Sequence, residues 1–176
     1  MVFDGSKDGG LLAYMDSDWA TDPIKHWPIT GNFFKLAECS FLWQSHAQKT
    51  VALSSTEAEY MALSDTGQQA VWIQSLLGEL GIKIPTILIC GDNQGSTFIG
   101  SNPVQERHSK HIDICYHYIR QLVEEGKIDL FFIEGAENPA DLFTRTLVQQ
   151  SSLSSEDSQT RNLEDVYTVR ATVAAT

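Results

Sequence analysis

The segment LSSTEAEYMALSDTGQQAVWIQSLLGEL (residues 53–80) decides the fold, because its apolar residues repeat with the period of one long amphipathic helix. Ser54, with Glu57 three residues later, fits a capping box at the start of this helix. The apolar side chains fall on one arc, which holds Ala58, Met61, Ala62, Ala70, Trp72, Ile73, Leu76, Leu77 and Leu80.

Two glutamates near the start of this helix differ in their predicted orientation. At about 100° per residue, Glu59 lies inside the apolar arc and Glu57 lies outside it. An ionised carboxylate on a core-facing surface is costly unless a cation or strong donors meet it, so Glu59 is a candidate metal ligand or proton relay. The competing interpretation places Glu59 at the edge of the arc, where it reaches solvent.

Length and composition limit the class of protein. A chain of 176 residues that is 42% apolar suits one domain with a sizeable core. There is no run long enough to span a membrane and no signal-peptide pattern at the N-terminus. Cys39, Cys90 and Cys115 are widely spaced and odd in number. We therefore expect a soluble intracellular protein with free thiols and no membrane partner.

The net charge of −11 argues against a nucleic-acid binder that relies on a broad basic surface. It is compatible with one whose bound divalent cations supply positive charge. The acidic composition therefore predicts weak phosphate contacts rather than no nucleic-acid partner.

The remaining elements follow from the alternation of apolar residues and from the breaks between them. Residues 1–10 resemble a linker remnant, 11–148 form the domain, and 149–176 are a Ser-rich tail that we expect to be disordered. The predicted strands are Leu11–Ser17, Gly31–Leu36, Ser40–Ser45, Thr86–Cys90 and Asp129–Ile133. Further helices are predicted at Gln94–Gly100, His111–Glu125 and Ala140–Leu147. Three strands before the first helix imply an antiparallel start to the sheet.

Three further acids stand at the ends of these elements. Asp16 and Asp92 come at the ends of predicted strands, and Asp141 lies in the first turn of the last helix. Each alone has an ordinary explanation in a turn or a helix dipole. Grouped together with Glu59 they would repel one another unless cations neutralised them. Oxygen ligands favour Mg²⁺ or Mn²⁺, and two such ions could drive phosphodiester hydrolysis.

Several segments together resemble a known family. They are YMDSDWATD, FLWQS, TVALSSTEAEYMAL, ICGDNQ, NPVQERHSKHIDICYHYIR, VEEGKIDLFFI and NPADLFTR, and they cover about Leu11 to Leu147. The chain resembles the ribonuclease H domain that follows reverse transcriptase in copia-type retrotransposon Pol polyproteins. This resemblance implies an α/β, ribonuclease H-like fold with a five-stranded mixed sheet, three antiparallel strands followed by two parallel ones, flanked by helices.

The resemblance also implies a catalytic site. Asp16, Glu59, Asp92 and Asp141 match the family's four metal-binding acids, which hold two Mg²⁺ ions, replaceable by Mn²⁺, and cleave the RNA strand of an RNA/DNA hybrid internally. The implied partners are this hybrid and the reverse transcriptase domain of the same polyprotein. The implied location is intracellular: the cytoplasm, including virus-like particles, or the nucleus.

Residues implied in substrate binding lie at three places. Ser55 and Thr56 at the helix start, together with Gln94, match positions that contact the minor groove of the hybrid in related enzymes. Lys110 and His111, at the start of a helix, are candidates for phosphate contact.

The sequence also departs from the family. Residues 23–30 and the pair His46-Ala47 replace segments that are usually more basic. Residues 134–139 contain no histidine that could assist product release. His117 is expected to be a packed helix residue.

Three alternatives compete with an active nuclease. In integrases and transposases of the same superfamily the essential Glu follows the second Asp, whereas here Glu59 precedes Asp92. A catalytically decayed or domesticated copy would keep the fold and serve as a binding module. A generic acidic interaction module would leave the core-facing Glu59 unexplained.

Overall fold

The computed structural model describes residues 10–19, 27–37, 39–93 and 110–145. Its strands are β1 (Leu11–Asp18), β2 (Ile29–Leu36), β3 (Cys39–Ala47), β4 (Ile87–Gly91) and β5 (Ile128–Phe132). Its α-helices are α1 (Ser55–Glu79), α2 (Lys110–Glu124) and the single turn α3 (Asp141–Thr144), which follows a 3-10 turn at Gly135–Glu137. No helix in these ranges is long and apolar enough to cross a lipid bilayer.

The strands form one mixed sheet in the order β3-β2-β1-β4-β5. Strands β1, β2 and β3 pair antiparallel, while β4 is parallel to β1 and β5 is parallel to β4. The predicted sheet of three antiparallel strands followed by two parallel ones is therefore confirmed. The predicted helix at Gln94–Gly100 and the predicted tail lie outside the described residues.

Helices α1 and α2 pack against the sheet, where the alternating residues of β1 and β4 supply an apolar surface. The core joins Leu11, Ala13, Met15, Ile87 and Ile89 of these strands to Leu63, Ala70, Ile73 and Leu77 of α1 and to Ile119 and Leu122 of α2. This packing fixes α1 over β1 and β4, so the start of α1 lies near the carboxyl ends of both strands.

The predicted orientation of α1 holds for most of the apolar arc and is wrong at Trp72, Leu80 and Glu57. Ser54 caps the helix by accepting a hydrogen bond from the Glu57 amide, as predicted. Trp72 and Leu80, which were placed on the buried arc, are 61% and 69% exposed. Leu80 is exposed because α1 ends at Glu79, and Trp72 lies near one edge of the arc. Tyr60 and Leu63, which lie outside the arc, are instead buried in the core. His117, expected to pack inside, is also exposed on α2.

The turn α3 approaches β2 closely, and Gly31 makes this approach possible. A Cβ at Gly31 would lie 2.7 Å from the Ala140 carbonyl oxygen and 2.8 Å from Thr144 Cγ2. The rings of Phe33 and Phe143 stack beside this contact with centroids 5.8 Å apart. The α3 turn is therefore seated directly on the strand that neighbours β1.

Gly31→Ala should lower the free energy of unfolding by about 1–3 kcal/mol, because the added methyl group overpacks against backbone that cannot move aside alone. Gly78→Ala is the matched control, since a Cβ there meets no atom within 4 Å and α1 gains helix propensity. Urea unfolding of both variants measures the difference. Equal stability of Gly31→Ala and wild type would contradict the close seating of α3.

Candidate metal centre

Three carboxylates meet at the edge where the parallel strands β1 and β4 end. Asp16 is near the end of β1, Asp92 follows the last residue of β4, and Glu59 is in the second turn of α1. Because β1 and β4 are neighbours with the same direction, their carboxyl ends lie side by side. One carboxylate oxygen from each residue lies within 4.8 Å of those from the other two.

The carboxylates of the cluster are largely buried, and burial destabilises an ionised carboxylate that has no partner. Asp16 and Glu59 are each 6% exposed, and Asp92 is partly buried. Glu59 Oε2 has no hydrogen-bond partner among the described residues. A buried, unpaired carboxylate oxygen is costly, and a cation would remove that cost.

The electrostatics of the cluster follow from burial first and from repulsion second. The pKa of the Glu59 carboxyl is raised from 4.5 to about 9, chiefly by burial and then by the charges of Asp16 and Asp92, while a backbone hydrogen bond from Ser17 partly opposes the increase. Burial likewise raises the pKa values of Asp16 and Asp92. A hydrogen bond from Thr144 partly opposes the increase in the Asp16 pKa. Without a cation, the site therefore favours uptake of protons.

We expect the metal-free protein to lose stability as the pH rises from about 4.5 towards 9. Folded Glu59 keeps its proton through this window, whereas the unfolded chain releases it, so each pH unit costs at most about 1.4 kcal/mol. Thermal unfolding in EDTA across this range measures the effect, which Glu59→Gln should greatly reduce, leaving only the smaller contribution of Asp16 and Asp92. A pH dependence that is unchanged in Glu59→Gln would contradict the raised pKa of the buried Glu59 carboxyl.

Asp141, the fourth predicted acid, does not join this group of three oxygens. Its Oδ1 lies 2.8 Å from Arg145 Nε, an ion pair one helical turn along α3. The charge of Asp141 still reaches the cluster, because it contributes to the raised pKa values of Asp16 and Asp92. The structure therefore brings together three of the four acids and places the fourth at the margin.

Backbone and side-chain contacts hold the acids in place. Gln48 is buried, and its Nε2 donates to the Thr30 hydroxyl at 3.0 Å and to the Ala58 carbonyl at 2.8 Å. Asn138 Nδ2 donates to the Met15 carbonyl at 2.9 Å. These bonds fix the backbone beside Glu59 and Asp16, respectively.

Sequence reasoning assigned no role to Gln48, Asn138 or Thr144. Asn138 and Thr144 do fall inside the segment NPADLFTR, which was part of the resemblance. No local pattern distinguishes such residues, because their partners are distant in the chain.

The five residues predicted to bind substrate are placed only in part. Ser55 and Thr56 are exposed at the start of α1, on the same end of the helix as Glu59. Lys110 and His111 are the first two residues of α2, and nothing is described of their side chains. Gln94 lies outside the described residues. The arrangement is compatible with a ligand lying across the start of α1.

Glu57 and Glu59 have different partners although both are buried. Glu57 was predicted to lie outside the apolar arc, yet it is only 7% exposed. Its Oε2 accepts a hydrogen bond of 2.8 Å from the Leu53 amide, so the side chain folds back over the helix start. Glu57 is therefore a capping residue, and Glu59 belongs to the acidic cluster.

Comparison with known proteins identifies transposon polyproteins as relatives of this chain. The chain is 36% identical over 143 residues to a retrovirus-related Pol polyprotein from transposon TNT 1-94 of Nicotiana tabacum. It is 40% identical over 139 residues to the corresponding polyprotein from transposon RE1 of Arabidopsis thaliana. These matches cover 81% and 78% of the chain but only 11% and 9% of the polyproteins. No protein-family profile matches the chain.

Solved structures with a similar fold are ribonucleases H. The RNase H1 of Halobacterium salinarum aligns over 77% of this chain and 94% of its own, with a TM-score of 0.57 and 16% identity. The compost-derived LC11-RNase H1, solved in complex with an RNA/DNA hybrid, aligns over 76% and 92% with a TM-score of 0.57 and 13% identity. The fold class predicted from the sequence is confirmed, and so is the resemblance to transposon Pol polyproteins.

Proposed function

Because this chain is a ribonuclease H-like domain homologous to one segment of the transposon Pol polyproteins, we propose that it cleaves the RNA strand of RNA/DNA hybrids with the help of bound divalent cations. The observation that carries the proposal is the buried group of Asp16, Glu59 and Asp92, in which one Glu59 oxygen has no partner among the described residues. Such a group is stable with its charges only beside a cation.

The donor set fits Mg²⁺ or Mn²⁺. The ligand atoms on offer are carboxylate oxygens, and no described His or Cys belongs to the group. Two bound ions would activate a water molecule and stabilise the leaving oxygen of a phosphodiester. Asp16, Glu59 and Asp92 would hold the ions, and Asp141 would join them by exchanging its Arg145 partner for a cation.

The residues of the chain have separate tasks in this proposal. Gln48 and Asn138 fix the backbone that carries the carboxylates. Ser55 and Thr56 offer hydroxyl groups at the exposed start of α1, where they could bond to RNA 2′-hydroxyls. Gln94 would add a contact of the same kind, and Lys110 and His111 would contact phosphates.

The biological setting is part of the proposal. The domain would act beside the reverse transcriptase of a longer polyprotein, because the chain matches only 11% and 9% of the length of its relatives. It would work inside the cell, in the cytoplasm or virus-like particles, or in the nucleus, where hybrids form during reverse transcription.

The isolated chain should bind hybrid weakly and with a shallow salt dependence. Among the basic residues of the sequence, Lys49, Arg107 and Lys110 are the main candidates for phosphate contact, and the net charge is −11. Each phosphate contact contributes about −0.9 to the slope of log K against log salt, so the slope should be no steeper than about −3. Fluorescence anisotropy between 50 and about 200 mM salt measures it. Tight binding with a much steeper slope would reveal a basic surface that this account lacks.

A cleavage assay tests the proposed activity. The substrate is a hybrid in which the RNA and DNA strands carry different labels, incubated with the 176-residue chain and Mg²⁺ or EDTA. We expect cuts inside the RNA strand with Mg²⁺, and none in the DNA strand or in EDTA. A folded chain that binds hybrid and Mg²⁺ but cuts neither strand would instead support the decayed or domesticated binding module.

A further inference from the structure

The Asp16 carboxylate has a direct hydrogen-bond donor on the α3 turn. The Thr144 hydroxyl donates to Asp16 Oδ2 across 128 residues of sequence, and Thr144 is only 1% exposed. We propose that Thr144 is a positioning residue that holds the Asp16 carboxylate in the orientation that binds a cation. This inference rests on the proposed function of the acidic cluster.

The turn that carries Thr144 is fixed from several sides, so the position of the hydroxyl is determined by the fold. Gly31, directly opposite Asp16 in the β1–β2 register, leaves room for Thr144 Cγ2 and the Ala140 carbonyl. Ser45 Oγ donates to the Phe143 carbonyl at 2.5 Å. These contacts involve β2 and β3, and neither touches a carboxylate of the cluster.

The chemistry of a hydroxyl group explains why its proton is directed at Asp16. Thr144 Oγ1 lies near both Asp16 Oδ2 and the Asp141 carbonyl oxygen, which is 3.1 Å away. A hydroxyl has one proton to donate, and an ionised carboxylate is a stronger acceptor than a carbonyl. The bond therefore forms with Asp16, which also accepts a backbone hydrogen bond from Ser17, and the lone pairs not used by these two donors are available to a cation.

The hydrogen bond from Thr144 to Asp16 is important because the neighbouring carboxylates repel that of Asp16. Glu59 and Asp92 both face Asp16, so an unrestrained Asp16 carboxylate would lower its energy by rotating away from them. The buried Thr144 hydroxyl, which donates to Asp16 Oδ2, counteracts that rotation. Partners that orient metal ligands in this way typically change metal affinity or activity by about 10–100-fold when removed.

Three variants of the full chain separate positioning from general structural support. Thr144→Val keeps the shape and removes the hydroxyl, while Thr144→Ser keeps the hydroxyl. Ser45→Ala removes a different bond to the same turn. We expect Thr144→Val to weaken Mn²⁺ binding, measured by electron paramagnetic resonance, by about tenfold or more. Thr144→Ser should stay within about threefold of wild type, and Ser45→Ala should lower the unfolding temperature without a comparable loss of affinity.

A second measurement uses the metal-free protein and does not require Thr144→Val to fold. The Thr144 hydroxyl proton should be visible by NMR in the metal-free wild type, protected from exchange with water, and Asp16→Ala should remove the protection. Absence of a protected hydroxyl proton would overturn the inference. So would wild-type Mn²⁺ affinity in folded Thr144→Val, or an equal loss in Ser45→Ala. Failure of the wild type to bind Mn²⁺ would instead count against the proposed function, and the NMR result would still decide whether Thr144 holds Asp16.

Discussion

Asp92→Asn should yield a folded protein that no longer cleaves the RNA strand of a hybrid. Removing a group that only orients a metal ligand typically lowers metal affinity or activity by about 10–100-fold. Loss of a ligand charge should therefore lower the cleavage rate by more than about a hundredfold. Asp92 is partly buried beside Asp16 and Glu59, and asparagine preserves its shape. The fold should be at least as stable in EDTA, because one source of mutual repulsion is gone.

Strand-labelled hybrid cleavage and thermal unfolding, run on the same preparation, measure both effects. Asp16→Asn should lose activity in the same way, although its hydrogen bond with Thr144 is altered as well. Activity of Asp92→Asn within a few-fold of wild type would remove Asp92 from the catalytic group.

Glu59→Gln should stop turnover, while Glu57→Gln should leave turnover nearly unchanged. Both side chains are buried in the first turns of α1, so each variant is a matched control for the other. Glu57 accepts a hydrogen bond from the Leu53 amide, and the carbonyl of glutamine can replace that acceptor. Glu59 instead belongs to the acidic cluster, and its Oε2 has no hydrogen-bond partner in the part of the chain that the structure describes. Glutamine removes the charge that a cation needs.

The two variants should also differ in their stability without metal. Glu59→Gln should be as stable as wild type or more stable at neutral pH, because the buried carboxyl with a pKa near 9 is replaced by a neutral group. Glu57→Gln should lose less than about 1 kcal/mol, the usual size of a capping contribution. Single-turnover cleavage and urea unfolding measure these outcomes. An inactive Glu57→Gln beside an active Glu59→Gln would show that the roles are reversed.

Local sequence patterns predicted the features of the fold that depend on residues close together in the chain. The capping pair and helical periodicity placed Glu59 towards the core, and strand endings placed Asp16 and Asp92 at one edge. The exposed Trp72, near one edge of the arc, shows where this reasoning fails: periodicity gives the direction of a side chain but not the width of the surface that covers it. Leu80 is exposed for another reason, because α1 ends at Glu79.

Long-range contacts could not be predicted in the same way. The hydrogen bond between Thr144 and Asp16 joins residues from opposite ends of the domain's sequence. The contact of Gly31 with α3 depends on how a short turn lies on the sheet. The pairing of Asp141 with Arg145 competes with its predicted role, and sequence spacing alone cannot decide between an ion pair and a metal ligand.

Anomalous scattering from crystals of the chain grown with Mn²⁺ tests most directly whether the three carboxylates form a cation site. We expect a strong peak within coordination distance of oxygens from Asp16, Glu59 and Asp92, at about 2.0–2.2 Å for a small hard cation. The same peak should be absent from crystals of folded Glu59→Gln grown at the same Mn²⁺ concentration. Mn²⁺ peaks only elsewhere on the wild-type protein, with the cluster empty, would contradict the account.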